Sequence, residues 1–288
     1  MSSGYIAKVA KKGFGEGTNE LYDKARPSYQ APVISYIRDC IRTADPFSIV
    51  EIGSGTGIFT RAMLSHPSFA NSVKEVKAVE PSEGMRDFFI KSTVETDLKT
   101  RVSVREGTFD NTGVEGGVAD MIVMAQAFHW CADGIHEATA QEFARILKPG
   151  GICVMLWNRV DSICPAWLSQ VNEVVETYKT PDQMSSRTEQ WRNFFNTPIY
   201  SQLFESPTIK EEWPSVLPVT KEVVIQRTMS ASMLAVQTDQ TKRQVKAKLD
   251  EILERGEETK WIDEGNGVFE SPYKTLVAVA RKKGVESL

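Results

Sequence analysis

Apolar positions along this chain alternate between two rhythms: short continuous runs, and recurrences at i, i+3 and i+4. The runs read as buried strands and the recurrences as helices. The first strand is expected at residues 47–51. Three glycines follow it at once, and a helical pattern over 55–65 stops at Pro67. EVKAVE (75–80) is the second strand. Pro81-Ser82 then open a helix expected to turn Met85, Phe88, Phe89 and Ile90 inward. RVSVR (101–105) alternates and reads as the third strand. ADMIVMA (119–125) is the fourth, an unbroken apolar run suited to a strand covered on both faces. Residues 137–147 are amphipathic and helical, Lys148-Pro149-Gly150-Gly151 reads as a hard stop, and ICVMLW (152–157) is the fifth strand.

Five strands separated by helices imply right-handed βαβ units and a parallel sheet. Ahead of them, residues 1–20 are polar and glycine-containing and are expected to be mobile. Pro32 is placed to open a helix through about residue 42. After Asn158 the alternation breaks. Helices are expected over 165–178 and 186–195, and an edge strand at 208–213. Residues 221–229 read both ways: Val-Val-Ile suggests strand, whereas Thr220 with Glu222 suggests a helix start. A charged helix spans 238–255 and ends at Gly256; residues 273–280 return to strand. About 100 residues thus separate the fifth strand from the closing one, and excursions of this size over strand ends usually cover a substrate.

Composition narrows the function classes. With 288 residues, 41% of them hydrophobic, the chain can bury one large core, with or without an insertion. Its net charge of −4 makes it a poor electrostatic partner for nucleic acid. No run of 18 apolar residues is present, so no membrane span is expected, and the first residues lack the apolar core of a signal peptide. Cys40, Cys131, Cys153 and Cys164 show no C-x-x-C spacing and make no metal set with His66, His129 and His136. The expectation is a cytoplasmic monomer with reduced thiols, no metal, no nucleic-acid partner and no membrane partner.

Chemistry concentrates at IVEIGSGTGIFT, residues 49–60. A strand running through glycines into a helix makes a nucleotide-type crevice, because the backbone can approach a ligand closely and the helix start offers free N–H groups. The dinucleotide fingerprint G-x-G-x-x-G would place glycine at position 58. Ile58 stands there, the third glycine is Gly57, and Glu51 lies inside the strand end. Glu80 ends the second strand, where an acid can hold both ribose hydroxyls. In parallel sheets ligands bind beyond the C-terminal strand ends. Gly53–Gly57, Glu80, Thr108-Phe109 and the box Gln126-Ala127-Phe128-His129-Trp130 all fall at that edge. The bland alternatives are a ligand-free βα turn, a solvated acid and ordinary core aromatics.

The segments YDKARPSY, VEIGSGTGIFT, AVEPSEGM, AQAFHW and RILKPGG occur in that order over residues 20–158. Through them the chain resembles the class I S-adenosylmethionine (SAM) methyltransferases of the methyltransferase-11 group. The arm and the AFHW box resemble the small-molecule type within it, which includes trans-aconitate and fungal dithiol methyltransferases. The resemblance implies an α/β Rossmann-like fold with a central, mostly parallel seven-stranded sheet, helices on both faces and a mainly helical substrate-covering insertion. It implies a division into an N-terminal arm and helix (1–45), a SAM-binding core (46–158), an insertion or lid with an edge strand (159–265) and a returning strand (266–288). It also implies site roles. Gly53, Ser54, Gly55 and Gly57 would wrap the methionine part of SAM, with Glu51, Ala125 and Gln126 beside it. Glu80 would hold the ribose, with Pro81 and Met85 packed nearby, and Thr108 and Phe109 would meet the adenine. Tyr22 and Arg26 would close over the cofactor's carboxylate. Many relatives carry Asp directly after the third strand; here Gly107-Thr108-Phe109 stands there, so adenine recognition is expected to rest on backbone groups.

The expected acceptor is a small molecule. Phe128, His129, Trp130, Trp157 and Asn158 are its expected wall, which suits an apolar thiol or dithiol secondary metabolite. His129 is the candidate helper, because imidazole titrates near neutrality; the other reading is an orienting or packed ring. Carboxyl O-methylation is the alternative, and it needs a cationic clamp that Arg159, Arg187 or Arg192 could supply. A SAM- or dinucleotide-binding protein without transfer activity, or an oxidoreductase using the same crevice, is the reading from another class.

Overall fold

The computed structural model describes residues 19–20, 23, 26–94, 101–161, 163–178, 186–235 and 237–284. The expectations for Tyr22 and for a mobile start over residues 1–18 fall outside them.

Helix α1 (Ala31–Cys40), with proline in its first turn, leads into strand β1 (Phe47–Ile52), every residue of which is buried. Helix α2 (Ile58–Ser65) follows the glycine turn, and a one-turn helix Pro67–Ala70 leads to β2 (Val73–Val79). Helix α3 (Glu83–Val94) and β3 (Val102–Arg105) come next, then β4 (Ala119–Ala125), α4 (His136–Ile146) and β5 (Leu147–Val160). The chain then makes α5 (Ala166–Thr177), a 3-10 segment Gln190–Asn196 and β6 (Thr208–Val219). It continues through α6 (Lys221–Met229), α7 (Asp239–Arg255), β7 (Trp261–Asp263) and β8 (Val268–Arg281).

The strands form one sheet in the order β3-β2-β1-β4-β5-β8-β6, with β7 paired to β8. The pairs among β1 to β5 are parallel, and β8 runs antiparallel to both β5 and β6. The expected mostly parallel α/β sheet is present, with the short β7 added to the seven strands. Strand order reverses between β1 and β4, so the crevice of this sheet opens beyond their C-terminal ends. One face of the sheet is covered by a cluster that includes Val33, Ile37, Phe59, Met63 and Phe69. The other carries Phe128, Phe143, Trp157, Trp191, Phe194 and Tyr200. A third cluster, with Trp167, Val171, Leu249, Ile252 and Phe269, packs α5 and α7 together.

Three expectations change. Ile90 is 48% exposed, because Met85 and Phe89 already share the buried stripe of α3 and position 90 lies a further 100° round. The Lys148–Gly151 stop is absorbed into β5 as an irregularity: Ala119 pairs with Leu147 but Met121 with Ile152, and Gly150 takes φ +75°. Residues 186–195 form no α-helix; a 3-10 segment begins at Gln190. The ambiguous 221–229 stretch is helical, because Thr220 caps it by accepting from the Val223 N–H.

Candidate functional site

Beyond the ends of β1 and β4 lies a cavity of about 380 Å³, within the range of small-molecule sites. Its floor is the glycine turn. Gly53, Gly55 and Gly57 all have positive φ (71°, 55° and 87°). At Gly53 space is also decisive, since an added Cβ would stand 2.5 Å from the Cβ of Ala127, where the loops after β1 and β4 run side by side. Gly55 N–H donates to Glu80 Oε2 and Ser82 N–H to Glu80 Oε1, each at 2.9 Å. Glu80 therefore ties the glycine turn to the start of α3. Thr60, in the first turn of α2, donates to Glu51 Oε2.

The acids here are held out of water. Burial pushes the Glu51 carboxyl up to about 8, against the Thr60 hydrogen bond and the Arg61 charge. Burial also raises Glu80, opposed by the two backbone N–H groups. Ser54 Oγ and Thr56 Oγ1 are buried in the same turn without a hydrogen-bond partner among the described residues.

Gln126 ends β4 in the left-handed region, with φ +56°, a conformation that non-glycine residues adopt at a cost. Its N–H bonds Leu156 O at 2.8 Å and its side-chain amide bonds Asn158 O at 2.9 Å, which fixes it against β5. A 3-10 turn, Phe128–Trp130, follows. Trp157 Nε1 donates to His129 Nδ1 at 3.2 Å, and burial, then the Arg26 charge, pushes His129 down to about 3. After β3, Thr108 donates through its hydroxyl to Asp110 Oδ1 at 2.8 Å.

The remaining walls come from outside the parallel sheet. Arg26, Pro27 and Tyr29 line the cavity from the N-terminal side, with Tyr29 edge-on to Phe59 and Ser28 O accepting from Asn158 Nδ2 at 3.2 Å. The cover contributes Asn172, Val175 and Glu176 of α5, Ser186 and Arg187, Arg227 of α6, and Ala231 and Met233 just after it. Arg187 is bound to Asn172 Oδ1 at 2.8 Å and pairs with Glu176 at 3.6 Å.

Of the residues singled out in the sequence, Arg26, Glu51, Gly53, Ser54, Gly55, Glu80, Pro81, Met85, Thr108, Phe109, Ala125, Gln126, His129, Trp130 and Asn158 all line this cavity. Tyr22 lies outside the described residues. Gly57 does not line it; its left-handed φ turns the chain into α2. Phe128 and Trp157 do not line it either. Both are completely buried beneath the strand ends, Phe128 edge-on to Phe109 and Phe194 and Trp157 against Trp191 at 4.4 Å. Arg159 and Arg192 share Glu189 outside the cavity, at 3.3 and 2.9 Å. His129 does not titrate near neutrality, because its ring is held out of water beside a cation. Sequence reasoning missed Thr56, Asp110, Asn172, Glu176 and Arg227. Asp110 carried a signal, directly after the Gly107-Thr108-Phe109 stretch that stands where an acid is expected; the cover residues carried none.

Comparison with known proteins places this geometry. Residues 50–155 match the Methyltransf_11 family model, a methyltransferase domain. The chain is 29% identical to an uncharacterized methyltransferase-like protein of Schizosaccharomyces pombe, over 80% of this chain and 82% of that one. It is 30% identical to a protein of Saccharomyces cerevisiae named a probable S-adenosylmethionine-dependent methyltransferase, over 45% of this chain and 42% of that one. Among solved structures, the geranyl diphosphate C-methyltransferase of Streptomyces coelicolor shares the fold, with a TM-score of 0.51, 16% identity and 98% of each chain covered. The sequence matches support a SAM-dependent methyltransferase, and the solved structure shows its Rossmann-like methyltransferase fold. Residues 50–155 thus carry a Methyltransf_11 domain, and the cofactor is SAM.

Proposed function

We propose that the cavity binds SAM at its glycine-turn end and a small-molecule methyl acceptor under the cover formed by α5 and α6. The observation that carries this reading is where the lining charges come from. Glu51, Glu80 and Asp110 belong to the strand ends and the loops after them, whereas Arg26, Arg187 and Arg227, together with Glu176, come from the N-terminal segment and the cover. A ligand with hydroxyls and an ammonium at one end suits the carboxylates, and SAM has no pyrophosphate that they would repel. The partnerless Ser54 and Thr56 hydroxyls suit a polar ligand laid along the turn.

In this reading the residues divide the work. Glu80 accepts from the ribose hydroxyls while its backbone bonds hold the turn in shape. Glu51 faces the ammonium, Asp110 the adenine amino group, and Arg26 the cofactor's carboxylate. Met85 and Phe109 pack on the flat and apolar parts. Bound there, SAM supplies a methyl group already activated by its sulfonium, so the protein's task is orientation and exclusion of water. His129, neutral and bearing its proton on Nε2, orients a group by donating to it. A thiol or a carboxylate suits such a site, since neither needs a strong base. Methylation of a thiol and methylation of a carboxyl group are therefore both compatible with the reactive centre, and the choice turns on what holds the rest of the acceptor. By this reading residues 46–158 are the cofactor core and 159–265 the cover, although β6 from the cover segment also extends the sheet.

Isothermal titration with SAM and with NAD tests the assignment. Micromolar binding of SAM, no binding of NAD and loss of SAM binding in Glu80→Ala are expected. Equal SAM affinity for wild type and variant would place the cofactor elsewhere.

A further inference from the structure

Arg227 stands in the cover wall of the cavity, at the C-terminal part of α6, and is part of neither the glycine turn nor the strand-end loops. Its surroundings differ from those of the other cavity arginine on the cover. Arg187 is already engaged with Asn172 and Glu176. Arg227 has no ion pair and no side-chain hydrogen bond among the described residues. The charged neighbours that act on it are Arg26, which disfavours its charge, and the Tyr273 phenol. Burial, followed by the Arg26 charge, lowers it to about 10. The half-buried guanidinium thus lacks a counter-ion among the described residues, and an anion that enters the cavity can supply one. Apolar side chains share the cavity with it: Trp130, Ile135, Val175, Ala231 and Met233 line the same space.

Resting on the reading of this cavity as the SAM and acceptor site, we propose that Arg227 is the receptor for a carboxylate of the methyl acceptor, and that the acceptor is a small carboxylic acid with an apolar body. The guanidinium matches a carboxylate in a two-pronged fashion. The apolar walls take the hydrocarbon, and the engaged Arg187 and Glu176 close the cover without competing for the anion. An uncharged dithiol would leave Arg227 without a counter-charge.

The test uses the full chain loaded with S-adenosylhomocysteine (SAH), the demethylated form of the cofactor. It is titrated calorimetrically with benzoate, cinnamate and octanoate, with their neutral amides, and with the uncharged dithiol dihydrolipoamide. At least one acid should bind more tightly than its amide. Arg227→Gln should weaken that acid by about tenfold to a hundredfold, bring acid and amide level, and leave SAH affinity within about twofold. Arg227→Lys should retain part of the preference, and unchanged melting temperatures confirm that both variants are folded. Three results would overturn the proposal: no acid preferred over its amide, dihydrolipoamide bound better than every acid with Arg227→Gln neutral, or SAH weakened as much as the acid. The last would make Arg227 a contact of the cofactor's own carboxylate. Failure of the wild type to bind SAH would overturn the cofactor assignment itself and this proposal with it. Normal SAH binding without acid discrimination overturns the Arg227 proposal alone.

Discussion

Trp157 Nε1 lies 3.2 Å from His129 Nδ1. Indole N–H only donates, so Nδ1 must accept, and the proton of the neutral imidazole sits on Nε2. Trp157 is itself locked against Trp191 at 4.4 Å. The sheet core thus sets the tautomer of a ring that lines the cavity.

Burial, then the Arg26 charge, makes this ring silent near neutrality. Its ordinary value of 6.5 falls to about 3 in the fold, so between those limits the unfolded chain binds the extra proton. Stability contributed by the neutral ring is present above pH 6.5 and is lost as pH falls toward 3, by at most about 1.4 kcal/mol per pH unit. NMR of the imidazole C–H resonances should show no His129 titration between pH 5 and 8. The pH profile of methyl transfer should lack an inflection that disappears in His129→Gln.

Glu51 behaves in the opposite sense. Its carboxyl rises from 4.5 to about 8, so the folded chain binds the extra proton. The stability of the cofactor-free protein should be highest below pH 4.5 as far as this group is concerned and should decline as pH rises through 8. Glu51→Gln should flatten that decline in chemical denaturation. If a cofactor ammonium faces Glu51, SAM binding at pH 7 should release a fraction of a proton. Calorimetry in buffers of different ionisation enthalpy measures it, and Glu51→Gln should abolish it.

On the proposed reading Glu80 has two jobs, and they can be separated. Glu80→Ala removes the acceptor for Gly55 N–H and Ser82 N–H, and leaving such buried donors unpaired costs about 1–3 kcal/mol. Glu80→Gln keeps one oxygen acceptor and should recover part of the stability. Both should weaken SAM by about tenfold or more, since charge-assisted bonds to ribose hydroxyls are lost. Thermal melts and calorimetry on the same variants distinguish the two effects.

The glycines are unequal. Gly53→Ala combines a left-handed φ with a 2.5 Å overlap on Ala127 and should cost about 2–4 kcal/mol. Gly55→Ala meets only Met85 Sδ at 3.7 Å, so backbone strain of about 1–2 kcal/mol is the expected loss. Urea denaturation of the two variants should show this order. Equal losses would mean that the two loops can separate freely.

Removing residues 1–30 deletes Arg26, which lines the cavity, and Tyr29, which packs on Phe59. The sheet should remain folded by circular dichroism while the SAM dissociation constant rises by about tenfold. Unchanged affinity would assign the arm no part in cofactor binding.

The sequence by itself determined the parallel sheet and its binding edge. Strands β1 and β4 and the later part of β5 are the apolar runs a covered strand needs, whereas β2 and β3 mix apolar and polar positions; breaks in regular structure follow β1 to β4. Gly53, Glu80, Thr108 and Gln126 fall at those breaks, so their meeting at one edge follows from strand direction alone. Cap chemistry also carried through: Thr238 and Gly256 bound α7 as local signals require. What only the tertiary structure decided were facing and neighbourhood. Phe128 and His129 are adjacent in the chain, yet one ring points into the core and the other into the cavity, because a 3-10 turn sends successive side chains about 120° apart. Trp157 reads as an aromatic at a strand end, but the face of β5 on which it sits is the one packed by Trp191. Arg227 carries no local mark of function. It reaches the cavity because β6, held along β8, delivers α6 over the strand ends, a pairing between positions 50 to 71 residues apart. Local rhythm specifies which elements form and where they break; which side chain meets which is set by long-range packing.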